Sequence, residues 1–301
     1  MRVTRFCPAK VNLFLEVTGK RSNGYHELAT LFAKIKLGDE LTLTIEPAPE
    51  TSLSLTLSGP VGKRLRADET NLVCRAARGF LEHFKLSARV EMHLHKRVPT
   101  GAGLGGGSSD AAGTLLALCD AFQKNKTELL PLAATLGADV PLFMYEEPFL
   151  KGEGIGEILT PVSTCGRLPW LVLIYPNAFI STKMVFGNFV LPSKTEMDKN
   201  VARLTQLIHC VEQARPLTDW KDFLFNRLEE NVASVSRPVQ QALTDLKKAG
   251  AKAVLMSGSG STVFALTETA DEAESLARQV CSHERTVFCT PFYIPSTAGQ
   301  K

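Results

Sequence analysis

The sequence predicts a two-domain α+β protein, and three observations support this prediction. Its 301 residues suffice for two domains of roughly 150 residues each. Apolar residues alternate in short runs through the first hundred positions, as in half-buried strands, whereas the later part mixes helical patterns with strands. Glycines interrupt the pattern over 152–156. We therefore expect domains over residues 1–160 and 161–295, followed by a flexible tail over 296–301.

The first domain is predicted to consist mainly of antiparallel strands with one helix laid over them. Apolar residues alternate over 11–17, so Lys10, Asn12 and Phe14 share the opposite face of that strand. Asn23-Gly24 follows and predicts a hairpin, because both residues tolerate the positive φ of a tight turn. The remaining predicted elements are strands over 25–35, 41–45, 53–57 and 90–95 and a helix over 69–84.

A glycine-rich segment is the sharpest local feature of the chain. Five glycines occupy the seven positions 101–107 and lead into Ser108-Ser109-Asp110 and an Ala/Leu-rich helix. Serine is a good N-cap, and Asp110 in a first turn suits the positive end of the helix dipole. Successive N–H groups without side chains, running into a helix N-terminus, form a binding site for the phosphates of a nucleotide.

Other interpretations of this segment agree less well with the residues. A Walker A loop needs a lysine where Gly107 stands. The spacing Gly101-x-Gly103-x-x-Gly106 matches a dinucleotide fingerprint, but that motif requires a βαβ unit and an acidic residue after the next strand. Asp120 lies inside the helical run instead. A flexible linker is a further alternative, although a linker would not run directly into a capped helix.

A second helix and a loop follow. The pattern predicts a helix over 127–136 with Thr127 as its cap, ending at a left-handed Gly137. Pro141 prevents continuation of the helix. The stretch 138–140 is therefore expected to be a loop just beyond a helix end.

The second domain is predicted to have the element order of a ferredoxin-like α+β sandwich, βαββαβ with an enlarged first crossover. Its turn SGSGS over 257–261 lies between two short strands. The predicted elements are strands over 171–175, 253–256, 262–266 and 285–294, helices across 198–249 that close at Gly250, and a helix over 270–283.

Composition excludes several classes of protein. Lys plus Arg exceeds Asp plus Glu by 34 − 31 = 3, too small a surplus to bind nucleic acid unless it is concentrated on one face. No apolar run approaches the ~20 residues that cross a bilayer, and the first residues lack the apolar stretch of a secretory signal. Seven cysteines are scattered singly. We expect a cytoplasmic protein with reduced thiols, and neither these cysteines nor the pair His93 and His95 indicates a metal site, so the metal ligands stay unknown.

Three motifs together resemble the GHMP kinase superfamily. PAKVNLFL (8–15) resembles its first motif, PTGAGLGGGSSDAA (99–112) its phosphate-binding motif and LMSGSGSTVFAL (255–266) its third motif, in the same order along the chain. Within that superfamily the chain is most similar to the 4-diphosphocytidyl-2-C-methyl-D-erythritol kinases. The segments that carry this narrower likeness are RSNGYHEL (21–28), LGADVPLF (136–143) and GEGIGEIL (152–159).

The resemblance implies a fold and a reaction. It implies an N-terminal domain like ribosomal protein S5, a C-terminal ferredoxin-like domain and an active site in the cleft between them. The implied enzyme uses ATP and Mg²⁺ to phosphorylate the 2-hydroxyl of the methylerythritol portion of a cytidine diphosphate substrate. The implied partners are these small molecules, with no nucleic acid, membrane or obligate protein partner. Two alternatives stay open: a GHMP kinase for another small alcohol such as homoserine or mevalonate, and a nucleotide-binding regulator that has lost catalysis.

The same resemblance assigns roles to individual residues. Asp139 matches the catalytic base and Lys10 the catalytic lysine, which requires the fold to bring their side chains within ~4–6 Å. Taken alone, either is more typical of a solvated side chain. Residues that match nucleotide-binding positions are Pro99, Gly101, Gly103, Leu104, Gly105, Gly106, Gly107, Ser108 and Ser109, with Asn71 and Lys96 near the adenine. Residues that match substrate-binding positions are Tyr25, His26, Thr182 and Phe186. Asn12 is a further candidate for substrate binding, because it shares the strand face of Lys10.

Two of these assignments leave a choice open. Ser108 and Ser109 are both candidates for a contact with Mg²⁺, and the sequence does not choose between them. Lys96 is equally well interpreted as a lysine on an edge strand that discourages strand pairing.

Overall fold

A computed structural model describes residues 1–63, 65–187 and 189–295. The tail predicted over 296–301 lies outside the described residues. The strands are β1 (Arg2–Lys20), β2 (His26–Pro47), β3 (Ser52–Ser58), β4 (Ala88–His95), β5 (Phe149–Glu153), β6 (Ile158–Val162), β7 (Trp170–Tyr175), β8 (Phe225–Asn226), β9 (Ala253–Met256), β10 (Val263–Thr267) and β11 (Thr286–Pro291). The helices are α1 (Gly59–Gly62), α2 (Leu72–His83), α3 (Gly106–Phe122), α4 (Leu130–Leu136), α5 (Thr182–Gly187), α6 (Lys194–Glu212), α7 (Leu217–Trp220), α8 (Glu229–Val235), α9 (Arg237–Lys248) and α10 (Ala270–Val280).

The chain forms two compact units that interleave along the sequence. The first unit comprises residues 1–9, 37–100 and 105–146, and the second comprises 10–36, 101–104 and the described residues from 147 onward. The long strands β1 and β2 each contribute residues to both units, so one cut in the chain cannot separate them. The predicted division into residues 1–160 and 161–295 stays a prediction.

The first unit contains strands β3 and β4, the later part of β2, and helices α2, α3 and α4. Strand β4 pairs parallel with β3 and antiparallel with β2. Alternate residues Val90, Met92 and Leu94 are buried while their neighbours face solvent more, which is the pattern of a strand with one buried face. The strand predicted over 41–45 continues β2 instead of forming a separate strand, because the chain does not turn between the two runs.

Helix ends in the first unit differ from the predictions. Gly105, with φ +67°, caps α3 in place of a serine, and Asp110 is buried beyond the first turn. The predicted helix over 127–136 begins instead as a 3₁₀ helix, Lys126–Leu129, whose cap is Asn125. Gly137 is extended, with φ 168°, so the expected left-handed conformation is wrong. Helix ends fray and their last turns are often 3₁₀, so a local pattern places the ends less accurately than the helix itself.

The second unit contains a four-stranded antiparallel sheet with the order β11-β7-β10-β9. Numbered along the chain, this is the order 4-1-3-2, and the crossovers carry helices, as predicted for a ferredoxin-like domain. Helices α9 and α10 bury Val239, Leu243 and Leu276 against the sheet. The first crossover is long because it also contains β8 and helices α5 to α8.

The hairpin predicted at Asn23-Gly24 is confirmed, since β1 and β2 lie on either side of it. Its turn differs from the expected one, because Gly24 has φ +89° but Asn23 does not have a positive φ. The middle of β1, from Ala9 to Val17, is buried on both faces. Its polar face therefore lies inside the protein, which is an unusual environment for the side chains of Lys10 and Asn12. Among the described residues, no helix combines the length and apolar character that a membrane span requires.

Candidate active site

Strand β1 presents Lys10 and Asn12 side by side, because side chains two residues apart lie on one face. Both are buried, at 4% and 2% exposure. Nζ of Lys10 donates to Oδ1 of Asn12 at 2.7 Å, and Nδ2 of Asn12 donates to the hydroxyl of Thr30 at 2.9 Å. The Lys10 ammonium also lies 5.4 Å from the centroid of the Phe32 ring. Contacts from two strands therefore fix the position of this charge.

The SGSGS turn packs its backbone directly on that pair. Gly258 has φ +57°, and a Cβ built there would stand 3.2 Å from Oδ1 of Asn12 and 3.5 Å from Nζ of Lys10. The hydroxyl of Ser257 donates to the carbonyl of Gly103 at 3.0 Å. Bare main chain thus lies next to the ammonium of Lys10, and the turn is bonded to the glycine-rich loop.

Loop 101–104 packs closely against the SGSGS turn. Gly103 has φ +76°, and a Cβ there would stand 2.3 Å from the carbonyl oxygen of Ser257, so no other residue fits without displacement. The carbonyl of Leu104 accepts from the backbone N–H of Lys10 at 2.9 Å. Parts of all three motifs identified in the sequence therefore meet within the second unit.

In the first unit, the N-terminus of α3 provides the features of an anion site. The N–H groups of its first turn have no acceptor within the helix. A Cβ on Gly106 would stand 2.8 Å from Val98, so only glycine allows this close approach, while Gly107 is exposed. Ser109 is 1% exposed, and its hydroxyl has no hydrogen-bond partner within the described residues. Ser108 is half-buried.

Asp139 lies in the turn that follows α4, also in the first unit. The residue is half-buried. A Cβ on Gly137, two residues earlier, would stand 3.9 Å from the hydroxyl oxygen of Ser108. The turn that carries Asp139 therefore runs beside the first turn of α3.

An aromatic cluster in the second unit surrounds His26. Its ring centroid lies 5.2 Å from that of Phe186 and 6.0 Å from that of Phe189. Burial, together with the charge of Lys20, lowers the pKa of His26, so the ring is neutral at pH 7. Its Nε2 is buried without a partner in the described part of the chain. Tyr25, the preceding residue, is 59% exposed.

Lys96 forms a buried ionic cluster in the first unit. Its ammonium donates to Asp39 and, at 2.6 Å, to Oδ2 of Asp110. The other oxygen of Asp39 accepts the backbone N–H groups of Arg97 and Val98. Burial opposes the charge on Lys96, but the two carboxylates outweigh it and raise its pKa. Burial raises the pKa of Asp110 to about 7, although Lys96 acts in the opposite direction.

Comparisons with known proteins address the whole chain. Family models described as the N-terminal and C-terminal domains of GHMP kinases match residues 71–147 and 208–286. The 4-diphosphocytidyl-2-C-methyl-D-erythritol kinase of Desulfotalea psychrophila is 37% identical over 91% of this chain and 88% of its own length. That of Lachnoclostridium phytofermentans is 34% identical over 95% of each chain. The chain belongs to this family of GHMP kinases.

Solved structures support the same fold. A crystal structure of a 4-(cytidine 5'-diphospho)-2C-methyl-D-erythritol kinase matches with a TM-score of 0.74 at 33% identity, over 96% of this chain and 99% of that one. The homoserine kinase of Cytophaga hutchinsonii matches with a TM-score of 0.75 at 18% identity, over 97% of this chain and 95% of that one, which is a likeness of fold. The predicted two-domain GHMP kinase fold is confirmed.

The structure brings together part of the site predicted from the GHMP kinase motifs. Lys10, Asn12, Gly103 and Leu104 lie together in the second unit. His26 and Phe186 form a second group there, and the hydroxyl of Thr182 lies 2.8 Å from that of Ser259 in the SGSGS turn. Gly101 is exposed and approaches Phe179. The first unit carries Pro99, Gly105, Gly106, Gly107, Ser108, Ser109 and Asp139. The convergence of Asp139 with Lys10 stays a prediction.

Two predicted nucleotide-binding residues of the GHMP kinase motifs have structural contacts of their own. Asn71 caps α2, since its Oδ1 accepts from the N–H of Val73 at 3.0 Å and its Nδ2 donates to the carbonyl of Arg66. The Lys96 side chain is 2% exposed and follows a strand that is paired on both sides. The alternative of a solvated edge-strand lysine is therefore wrong. Contacts of both residues with adenine stay predictions.

Other residues near the site were not predicted. Phe189 joins the aromatic cluster, Thr30 supports Asn12, and Asn226 bonds to the SGSGS turn. The sequence offered a weak signal for Phe189, because it is an aromatic residue three positions after Phe186. It offered none for Thr30 and Asn226, because they reach the site only through long-range strand pairing. Among the described residues, no group of three or more His, Cys, Asp or Glu side chains is arranged to hold a metal ion.

Proposed function

We propose that this protein transfers the γ-phosphoryl group of ATP to the 2-hydroxyl of 4-diphosphocytidyl-2-C-methyl-D-erythritol. The observation that carries the proposal is the packing of loop 101–104 and turn 257–261 on Lys10, in a chain whose relatives at 34–39% identity bear the name of that kinase. Phosphoryl transfer requires little covalent chemistry from a protein. It requires alignment of the two reactants and stabilisation of charge on the transferring oxygens.

The N-terminus of α3 is the proposed phosphate site. Gly105, Gly106 and Gly107 keep side chains away from the amides there, and the helix dipole favours negative charge. Ser109 offers a buried hydroxyl without a partner in the described chain, which supports it over Ser108 as a contact for the metal ion. When bound, Mg²⁺ neutralises charge on the phosphate oxygens. Pro99, Gly101, Gly103 and Leu104 complete the proposed phosphate loop.

Asp139 and Lys10 are the proposed catalytic residues. The Asp139 carboxylate accepts the proton of the acceptor hydroxyl, and the Lys10 ammonium stabilises the negative charge that develops on the oxygen. Two observations support these roles. The turn that carries Asp139 runs beside the first turn of α3. The hydrogen bond to Asn12 holds Lys10 against the SGSGS turn.

The aromatic cluster is the proposed cytidine site. Flat rings such as those of Tyr25 and Phe186 stack on a nucleobase. The neutral ring of His26 carries one N–H and one acceptor nitrogen, which suits the edge of cytosine. Thr182, close to the SGSGS turn, is the proposed contact to the remainder of the substrate. We also propose a cytoplasmic location, supported by seven cysteines that are all free thiols.

A substrate panel tests the function. Purified protein is incubated with Mg²⁺–ATP and, separately, the cytidylated methylerythritol, homoserine or mevalonate, and the products are followed by phosphorus NMR. We expect a new phosphomonoester signal only with the cytidylated substrate. A signal with homoserine or mevalonate alone would identify a GHMP kinase for another alcohol. Binding of ATP without turnover on any acceptor would indicate a regulator.

A further inference from the structure

The buried side chain of Asn226 forms hydrogen bonds to the backbone of the SGSGS turn and of the residue before it. Strand β8 lies parallel to β1, with Asn226 opposite Leu15, and the side chain is 5% exposed. Its Nδ2 donates to the carbonyls of Met256 at 2.7 Å and Gly258 at 2.8 Å. Its Oδ1 accepts the N–H of Leu228 at 2.9 Å. Both amide hydrogens and the oxygen are therefore engaged, and the orientation of the amide is determined.

A second side chain from the same segment holds the start of the turn. Oε2 of Glu229 accepts the N–H of Met256 at 2.7 Å. Burial raises the pKa of Glu229, and the bond from Met256 opposes that rise. Both backbone polar groups of Met256 are thus bound to side chains of the segment 226–229. The strand that leads into the turn cannot shift without breaking these bonds.

The position of the turn matters because of what lies under it. A Cβ on Gly258 would stand 3.5 Å from Nζ of Lys10, so this backbone is in contact with the lysine. The carbonyl of the same Gly258 is the one that Asn226 holds. One residue later in the turn, Ser259 contacts Thr182. A displacement of about 1 Å at a reacting centre costs on the order of 100-fold in rate.

We propose that Asn226 is a positioning residue for phosphoryl transfer, which keeps the SGSGS turn seated on Lys10 without touching the substrate. This inference rests on the proposed function. Asparagine suits the position because it donates two hydrogen bonds and accepts one. Aspartate would direct oxygen atoms at the carbonyls of Met256 and Gly258, and leucine would leave both without a donor.

The chemistry of aspartate supplies a signature that a general loss of stability would not produce. In Asn226→Asp, the ionised carboxylate repels the two carbonyls. A protonated carboxyl has one O–H and restores one of the two bonds. Burial raises the pKa of such a carboxyl. The ratio of kcat between Asn226→Asp and the wild type is therefore expected to rise as the pH falls from 8 to 6.

Asn200 provides a matched control in the same unit. It is 6% exposed, its Nδ2 donates to Glu16 at 2.7 Å and its Oδ1 accepts from Arg203 at 3.2 Å. It is thus a buried, hydrogen-bonded asparagine that makes none of these bonds to the turn. Asn200→Leu measures the cost of losing a buried amide that is linked to the segment 226–229 through Glu16 and Arg227 but makes no bond to the turn itself.

The experiment measures kcat, KM for both substrates and the melting temperature for the wild type, Asn226→Leu, Asn226→Asp and Asn200→Leu. For Asn226→Leu we expect kcat to fall about 10- to 100-fold. KM for the cytidylated acceptor should change less than about threefold, because the aromatic cluster is untouched. Asn200→Leu should keep kcat within about twofold at temperatures where it is folded.

Separate outcomes distinguish failure of this inference from failure of the proposed function. A wild type that does not phosphorylate the cytidylated acceptor would contradict the function. An active wild type with Asn226→Leu within about threefold of its kcat would overturn the positioning role. The positioning role would also be overturned if Asn226→Leu and Asn200→Leu lost equal fractions of kcat for equal decreases in melting temperature. If Asn226→Leu does not fold, the pH dependence of Asn226→Asp decides, and a flat ratio would overturn the inference.

Discussion

Among the buried lysines, Lys96 in the first unit and Lys10 in the second have different surroundings. Lys96 is 1% exposed and lies between the carboxylates of Asp39 and Asp110. Lys10 is 4% exposed, bonds to the amide oxygen of Asn12 and contacts the backbone of a glycine turn. The carboxylates neutralise Lys96 inside its own unit, as in a cluster that contributes to folding. The contacts of Lys10 hold its ammonium beside bare main chain, which is consistent with the proposed catalytic role.

The comparison separates the effects expected of mutations. A buried ion pair repays its desolvation only while both partners are present, so removing one partner costs about 3–5 kcal/mol. A lysine that acts in catalysis contributes mainly to the transition state, so its removal lowers turnover more than stability. The first class of effect appears in unfolding curves and the second in kinetics.

The largest effect is expected at the proposed catalytic residues. Lys10→Ala and Asp139→Asn should each lower kcat by at least about 1,000-fold, equivalent to roughly 4 kcal/mol, because charge at the transferring proton and oxygen is no longer compensated. Circular dichroism and urea unfolding should show that both variants stay folded. Turnover near the wild-type rate in either variant would contradict its assigned role.

The next largest effect is expected at Lys96, whose removal should lower the stability of the fold. Lys96→Met should lower the free energy of unfolding by about 3–5 kcal/mol, because the carboxylates of Asp39 and Asp110 lose their shared cation. Urea denaturation measures this change. Where the variant is folded, its KM for the cytidylated acceptor should match that of the wild type. A stable Lys96→Met with poor ATP binding would instead favour the predicted adenine contact.

The ionic cluster also predicts a dependence of stability on pH. The pKa of Asp110 is raised from 3.8 to about 7 in the folded protein. Between these two pH values the folded state therefore holds a proton that the unfolded chain has released. The contribution of Asp110 to the unfolding free energy therefore falls as the pH rises from about 4 to about 7, by at most about 1.4 kcal/mol per pH unit. Asp110→Asn should make this slope shallower.

The smallest effect is expected at an exposed lysine of the first unit. Lys126 pairs with Glu146 at 2.8 Å, but the two side chains are 49% and 78% exposed. Solvent screens such a pair, so Lys126→Met should change the unfolding free energy by no more than about 0.5 kcal/mol. Urea unfolding beside Lys96→Met gives the direct comparison. Equal destabilisation of the two variants would show that burial does not distinguish them.

Local patterns predicted much of the fold because they reflect local physics. Alternation over 11–17 predicted the strand, Asn23-Gly24 predicted the hairpin, and the element order predicted the ferredoxin-like sheet. Helix ends were predicted less well. Gly105 and Asn125 serve as caps where a serine of 108–109 and Thr127 were expected to do so. Helix ends fray, so a local pattern places them less accurately than the helix itself.

The three motifs, their order and the residue types that a phosphate site requires are all evident from the sequence. The side chains that surround each lysine depend on long-range contacts in the folded chain. Lys10 bonds to a neighbour two residues away on the same strand face, which alternation already implies. Lys96 meets Asp39 across 57 residues of chain, and Asn226 reaches Gly258 across 32. No local pattern encodes such contacts, because they arise when distant strands pair and bury their polar groups together.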